Sequence, residues 1–380
     1  MEQVARRFGT DRAPDADSPY RVMVVDDSAV IRGLLSRALE ADPRIEIVCK
    51  ADNGSVALQQ LKKYDVDVIV LDIEMPVMDG LTALPQIKKI APDVQVIMAS
   101  TLTLRNADIS MRALRAGAAD YIPKPTSATQ ISGGDAFKRE LTEKVCGLGA
   151  VARRKGAGAG SAGSPAASRN RPAPAARAIQ LRKPSTRRPS VVAIGSSTGG
   201  PQALMSVFAK ITQSVKQPIL VTQHMPPTFT TILADHIART SGRPTAEAED
   251  GTPVKDGHVY VAPGNRHMVV ERKAAGLVTR LNDDPPVNFC RPAVDPLFFS
   301  ISEACAETCL AVVLTGMGRD GADGAKAIAD KGGTVIAQDE ATSVVWGMPG
   351  ATAEIGACSA VLPLNDIAPQ IERIASGGAR

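Results

Sequence analysis

Apolar residues along this chain come in short runs, and the runs repeatedly end in a group with chemistry to offer. Tyr20 to Val25 leads into Asp26 and Asp27, Val68 to Leu71 into Asp72, "VQVIMAS" into Ser100, and "DYIP" into Lys124. Further on, Val191 to Ile194 leads into Gly-Ser-Ser-Thr-Gly, Ile219 to Gln223 into His224, and Cys309 to Leu314 into a glycine-rich loop carrying Asp320. A continuous apolar run too short for a helix and bounded by turn residues predicts a strand buried on both faces. Helix-period stretches lie between the runs, as from Val30 to Leu39 and near "GSVALQQLKKY". Strands alternating with helices predict parallel sheets, and such sheets gather their chemistry at the carboxyl ends of the strands.

Length and charge divide the pattern. A chain of 380 residues exceeds one ordinary core and suits two domains. From Val145 to Ser190 there is no Asp or Glu but ten Lys or Arg, among stretches such as "AGAGSAGSPAAS". That composition predicts a flexible basic linker over 141–189, between domains at 20–140 and 190–380, with a disordered extension over 1–19. Without the charged stretch, 34 basic face 40 acidic side chains, so the formal +4 of the whole chain is a linker property. With no interleaved aromatics or reader motif, no nucleic-acid role is expected. No apolar run approaches a membrane span of about 18 residues and no leader pattern is present, so the chain is expected to be cytoplasmic and not membrane-spanning. The six scattered cysteines read as free thiols rather than a metal site.

In the first half, three carboxylates at one sheet edge (Asp26, Asp27, Asp72) would repel each other unless a hard cation sat among them, and oxygen ligands suit Mg2+. A hydroxyl (Ser100) and an ammonium (Lys124) at neighbouring strand ends are suited to hold a phosphoryl group. Singly, Asp27 reads equally as a helix cap and Lys124 as a surface charge.

In the second half, Ser197 is the centre of G-x-S-x-G, Gly195 to Gly199, directly after a strand. That turn exposes the central hydroxyl, although a glycine-rich helix start that binds phosphate has the same appearance. His224 and Asp320 at two other strand ends supply the base and the orienting carboxylate that an activated serine needs. The chain order Ser, His, Asp departs from the α/β-hydrolase order, and "GSSTGG" fits neither G-x-G-x-x-G nor a Walker motif. Acyl transfer is the leading chemistry. His236, in "ILADHIART", reads as a mid-helix surface or capping residue, and His267 as a possible cleft residue.

With "VVDDS…LDIEMPVMDG…MAS…YIPKP", the first half resembles the receiver domain of two-component response regulators. The resemblance implies a five-stranded parallel, flavodoxin-like fold, Asp72 as phospho-acceptor, and Mg2+ held by Asp26, Asp27, Asp72 and the backbone carbonyl of Glu74. It further implies Ser100, Tyr121 and Lys124 as switch residues. With "AIGSSTGGPQAL", "VTQHMPPTFT", "RPAVDPLF" and "LTGMGRDGADG", the second half resembles the catalytic domain of the chemotaxis protein-glutamate methylesterases. The second half is expected to be a mainly parallel α/β domain of about seven strands, with an antiparallel edge near "GHVYVAP" and "HMVVE". This resemblance maps the nucleophile to Ser197, the base to His224, the carboxylate to Asp320 and an oxyanion donor to the Met317 backbone N–H. It also implies methylated chemoreceptors as substrate, deamidation beside ester hydrolysis, no cofactor for the ester chemistry, and a chemotaxis histidine kinase as phosphoryl donor. Cys290 and Ala293 stand where His and Ser are frequent in the family. Two other readings stay open: a second domain that only binds a partner, and hydrolysis of another acyl compound.

Overall fold

The computed structural model describes residues 18–101, 103–124, 135–159 and 179–377. The first unit alternates strictly: β1 (Tyr20–Val25), α1 (Ala29–Glu40), β2 (Ile45–Ala51), α2 (Gly54–Gln60), β3 (Val68–Asp72), α3 (Gly80–Ile90), β4 (Gln95–Ser100), α4 (Leu104–Arg115) and β5 (Asp120–Pro123). All pairings are parallel, in the order β2-β1-β3-β4-β5. Each helix starts on a side-chain cap that the sequence supplies: Ser28, Asn53, Asp79 and Thr103 each accept a backbone N–H three residues on. These caps end the turns crisply and leave Asp72 and Ser100 at the same edge of the sheet.

α5 (Asp135–Ala159) follows, and here the structure departs from the expected linker. Leu141, Val145, Leu148 and Ala152 are buried, at the spacing of one helical face, against the sheet and α1. The lack of acidic residues concealed that stripe. Residues 179–189 are not a free tether either. The Arg182 backbone N–H donates to Cys358 O (2.8 Å) and its Nε to Gly356 O (2.6 Å), while Arg188 Nε donates to Ala375 O (2.6 Å). Arginines that look like solvated charge in the sequence here satisfy helix-end carbonyls of the second unit. The proposed 1–19 extension and the middle of the linker fall largely outside the described residues.

The second unit comprises β6 (Val191–Ser196), α6 (Gly200–Phe208), β7 (Ile219–Gln223), α7 (Phe229–Ser241), β8 (Thr245–Glu247), β9 (Val259–Val261), β10 (His267–Lys273), β11 (Gly276–Asn282), α8 (Val294–Cys305), a short 3-10 turn, β12 (Cys309–Val313), α9 (Ala322–Asp330), β13 (Thr334–Gln338), α10 (Met348–Glu354), β14 (Ala360–Leu362) and α11 (Leu364–Ala375). Its main sheet has seven parallel strands, ordered β14-β13-β12-β6-β7-β9-β8. The antiparallel element is a separate hairpin, β10 with β11, because the "GHVYVAP" strand pairs parallel with β7. β6 lies between β12 and β7, so Ser197, His224 and Asp320 follow three adjacent strands. The two units meet with α4 packed on α6 and α7.

Candidate active site

Ser196 and Ser197 share the end of β6 but face different surroundings. Ser196 is fully buried and its Oγ donates to Gln223 Oε1 (2.7 Å), whereas Ser197 lines a cavity of about 530 Å³. The turn that separates them needs Gly199, whose φ is 75° and whose hydrogen a side chain would replace only by striking Val344. Gly316 is needed for a close approach: a Cβ there would sit 2.8 Å from the Cβ of Ser197. The Gly316–Met317–Gly318 loop is thereby pressed against the serine, and Met317 lines the same cavity.

His224 follows β7, its side chain nearly buried, and its Nε2 lies 2.6 Å from Asp320 Oδ2. Asp320 spends its remaining acceptor capacity on the first turn of α8: Val294 N donates to Oδ2 (2.6 Å) and Asp295 N to Oδ1 (3.1 Å), while Asn288 Nδ2 also donates to Oδ1 (3.1 Å). A helix N-terminus favours negative charge. Burial opposes ionisation of Asp320, but His224 and these donors outweigh it and hold the carboxyl below its usual range. Burial likewise opposes charge on His224, and Cys290 and Asp320 beside it outweigh burial, so the imidazole keeps its proton to a higher pH than usual. An imidazole bonded to a buried carboxylate, in a cavity that Ser197 also lines, is an arrangement that acyl transfer can use, although no hydrogen bond joins the Ser197 hydroxyl to His224 here.

About a third of that cavity's wall comes from the first unit, through residues that include Asp120, Tyr121, Arg139 and Lys144. The side chain of Met317 lies against Gly147 of α5, where a Cβ would come within contact of its methyl group. His236 is mid-helix in α7, as expected, but it is buried between the units rather than at the surface. Arg115 Nη2 lies 2.6 Å from its Nδ1 and Asp108 Oδ1 lies 3.4 Å from its Nε2. His267 is buried and bonded to backbone at both nitrogens, outside the cavity lining.

At the receiver edge, Asp26 and Asp72 are buried and Asp27 is exposed, with carboxylate oxygens of all three within 4.8 Å of one another. Lys124 Nζ lies 2.7 Å from both Asp26 Oδ2 and Asp72 Oδ2. Burial pushes the Asp72 carboxyl up to about 6 and Asp26 adds to this, against the opposing pull of Lys124. One lysine thus leaves the set short of positive charge, and hard oxygen donors of this kind fit Mg2+. The buried Ser100 hydroxyl donates to the adjacent Thr101 carbonyl (3.2 Å), Tyr121 is buried against the second unit, and Glu74 is exposed two residues beyond Asp72. Sequence reasoning passed over Asn288, Asp295 and Gln223; only Asp295 carried a signal, as the acidic residue in "RPAVDPLF".

A doubly wound receiver with an acidic edge, set over an α/β domain with a serine, histidine and aspartate at adjacent strand ends, defines a response regulator with a hydrolase-type output domain. Residues 22–133 match the response regulator receiver domain and residues 192–371 the CheB methylesterase family. The protein-glutamate methylesterase/protein-glutamine glutaminase 1 of Rhodospirillum rubrum is 56% identical over 370 residues, covering 94% of this chain and 96% of that protein. The protein of that description in Azospirillum brasilense is 57% identical, covering 95% of this chain and 94% of its own length. The crystal structure of the Thermotoga maritima CheB methylesterase catalytic domain is 40% identical and covers 50% of this chain and 100% of its own, at a TM-score of 0.48. The chain belongs to the protein-glutamate methylesterase/protein-glutamine glutaminase family.

Proposed function

We propose that the chain hydrolyses glutamyl γ-methyl esters, and deamidates glutamines, on the cytoplasmic helices of methylated chemoreceptors, under control of phosphorylation at Asp72. Ser197 Oγ attacks the γ-carbonyl carbon while His224 takes its proton, and Asp320 holds the imidazole and stabilises its charge. The carbonyl oxygen becomes an oxyanion that the Met317 backbone N–H meets. Collapse breaks the C–O bond to methoxide, which leaves as methanol with the proton from His224. Water then attacks the acyl-enzyme with His224 as base, releasing glutamate and restoring the serine. With glutamine the leaving group is ammonia and the acyl-enzyme is the same.

The receiver chemistry proposed is transfer of a phosphoryl group from a chemotaxis histidine kinase to the Asp72 carboxylate. Asp26, Asp27, Asp72 and the Glu74 carbonyl would hold Mg2+, which supplies positive charge against the phosphoryl oxygens. Lys124 would pair with the phosphoryl group and Ser100 would donate to it, letting Tyr121 move. The receiver covers the cleft until then. Among the described residues no helix is long and apolar enough to cross a membrane, and the proposed setting is the cytoplasm, beside the receptor's inner helices.

The observation that carries the reading is the 2.6 Å bond between His224 and Asp320 in a cavity that Ser197 lines and Tyr121 helps to roof. The test is methanol release from methylated receptor by Ser197→Ala and Ser196→Ala. The first should lose several orders of magnitude in kcat, and the second should keep most of it. Equal loss in both contradicts the assignment.

A further inference from the structure

Asn288 approaches the site from a turn whose backbone breaks a local rule. Val287 and Cys290 exchange backbone hydrogen bonds (3.1 and 2.9 Å), which leaves Asn288 and Phe289 as a two-residue tip. Both have positive φ, 49° and 65°. A tip of that kind ordinarily takes Asn-Gly, and an aromatic at its second position persists only where the surroundings over-determine it. The ends of the loop are pinned by His267, which bonds Pro285 O and Ala293 N, and by Arg291, whose guanidinium bonds Asn265 Oδ1 (2.8 Å). Departures from local preference held in this way are expected at functional positions.

What the tip delivers is one amide group between two buried carboxylates. Asn288 Nδ2 lies 3.1 Å from Asp320 Oδ1 and 3.1 Å from Asp295 Oδ2. Asp320 and Asp295 are nearly inaccessible, and two such carboxylates repel. An amide NH2 has two protons and no charge, so it satisfies one oxygen on each side. The other oxygen of Asp295 accepts Gly324 N (2.7 Å), and the other oxygen of Asp320 carries the bond to His224. We infer that Asn288 is a positioning residue for the hydrolysis: its amide ties Asp320 to Asp295 and so fixes the carboxylate in the orientation that His224 requires. Asn288 acts through Asp320 and touches no reacting atom. The inference rests on the proposed roles of Ser197, His224 and Asp320.

The test is kinetic, on the full-length chain with phosphoryl donor, Mg2+ and methylated receptor. Asn288→Gly keeps the left-handed backbone without strain and removes the amide. It should lower kcat about 10- to 100-fold, the effect of losing one hydrogen bond to a charged group, with KM little changed. In an Asp320→Asn background the same substitution should have no further effect, because its target is already altered. Asn288→Asp keeps the shape, suits positive φ, and adds a third carboxylate; it should lower kcat and move the acid limb of kcat/KM to higher pH by stabilising protonated His224. Equal losses in both Asp320 backgrounds, an unchanged kcat in Asn288→Gly, or an unmoved pH profile in Asn288→Asp would each overturn the inference while leaving the proposed triad standing. Full activity in Asp320→Asn alone would instead remove the reading on which it rests.

Discussion

Tyr121, in the receiver's last strand, lies flat on Phe229, the first residue of the helix that follows His224: their ring centroids are 4.5 Å apart and their planes 11° from parallel. The residue expected to respond to phosphorylation therefore touches the helix that begins shortly after the proposed base. Lys124, three residues after Tyr121, reaches Asp72 at 2.7 Å. On the proposed mechanism, a phosphoryl group on Asp72 would change the charge that Lys124 and Ser100 face, and Tyr121 would carry the change into the other unit. Closure needs no long-range relay, since the receiver site and the interface share one strand end.

The interface can be weakened away from both sites. Gln202 Nε2 donates to the Ala118 carbonyl across the two units (2.8 Å). Gln202→Ala removes about 1 kcal/mol of interaction that exists only in the closed arrangement. Unphosphorylated hydrolysis should rise about fivefold, while phosphorylated hydrolysis stays as it is. Equal rates with and without the substitution in the unphosphorylated protein would show that this contact does not limit opening.

His236 makes closure sensitive to acid. In the closed arrangement burial, and then Arg115 beside it, lower its pKa, because its Nδ1 lone pair faces the guanidinium. Asp108 on α4 pulls the other way and Arg239 on its own helix adds to the lowering. A lowered pKa in the closed form means that this form binds fewer protons, so the contribution of His236 to closure is full above the free imidazole value of about 6.5 and diminishes as pH falls below it. Small-angle X-ray scattering from pH 8 to 5.5 should show the chain extending, and His236→Gln should remove much of that response. The same extension in the variant would assign it to other groups.

The catalytic pH profile should have its acid limb at higher pH than an ordinary histidine base gives. His224 has its pKa raised because Cys290 and Asp320 outweigh burial. A base with a raised pKa is neutral only above it, so kcat/KM should fall with decreasing pH from a point higher than about 6.5. Cys290→Ser should move that acid limb to lower pH. A limb at or below the ordinary imidazole value would contradict the electrostatics described for the pair.

Much of both sites was legible because parallel strands put their last residues at one edge, and Asp26, Asp72, Ser100, Ser197, His224 and Asp320 each end or follow an apolar run. The expected seven strands of the second unit, antiparallel edge included, fell short of the nine described, because β10 and β11 form a hairpin apart from the seven-stranded sheet. α5 was not, since the composition around Arg153 and Arg154 concealed the stripe from Leu141 to Ala152. The environment of His236 was not legible either: its helix was clear, but Arg115 comes from a residue 121 positions away. Asn288 was invisible because its role depends on a turn between two carboxylates, not on spacing. Sequence periodicity reports the strand ends; it does not report which faces of two domains meet.

The central claim is that the receiver governs the hydrolase through Asp72. The most direct measurement is steady-state methanol release from methylated receptor by the intact protein and by Asp72→Asn, each with and without a small-molecule phosphoryl donor and Mg2+. The account predicts a low rate for both proteins without donor, a large acceleration of the intact protein with it, and none for Asp72→Asn. Acceleration of Asp72→Asn equal to that of the intact protein would contradict it, as would an intact protein already at its full rate without donor.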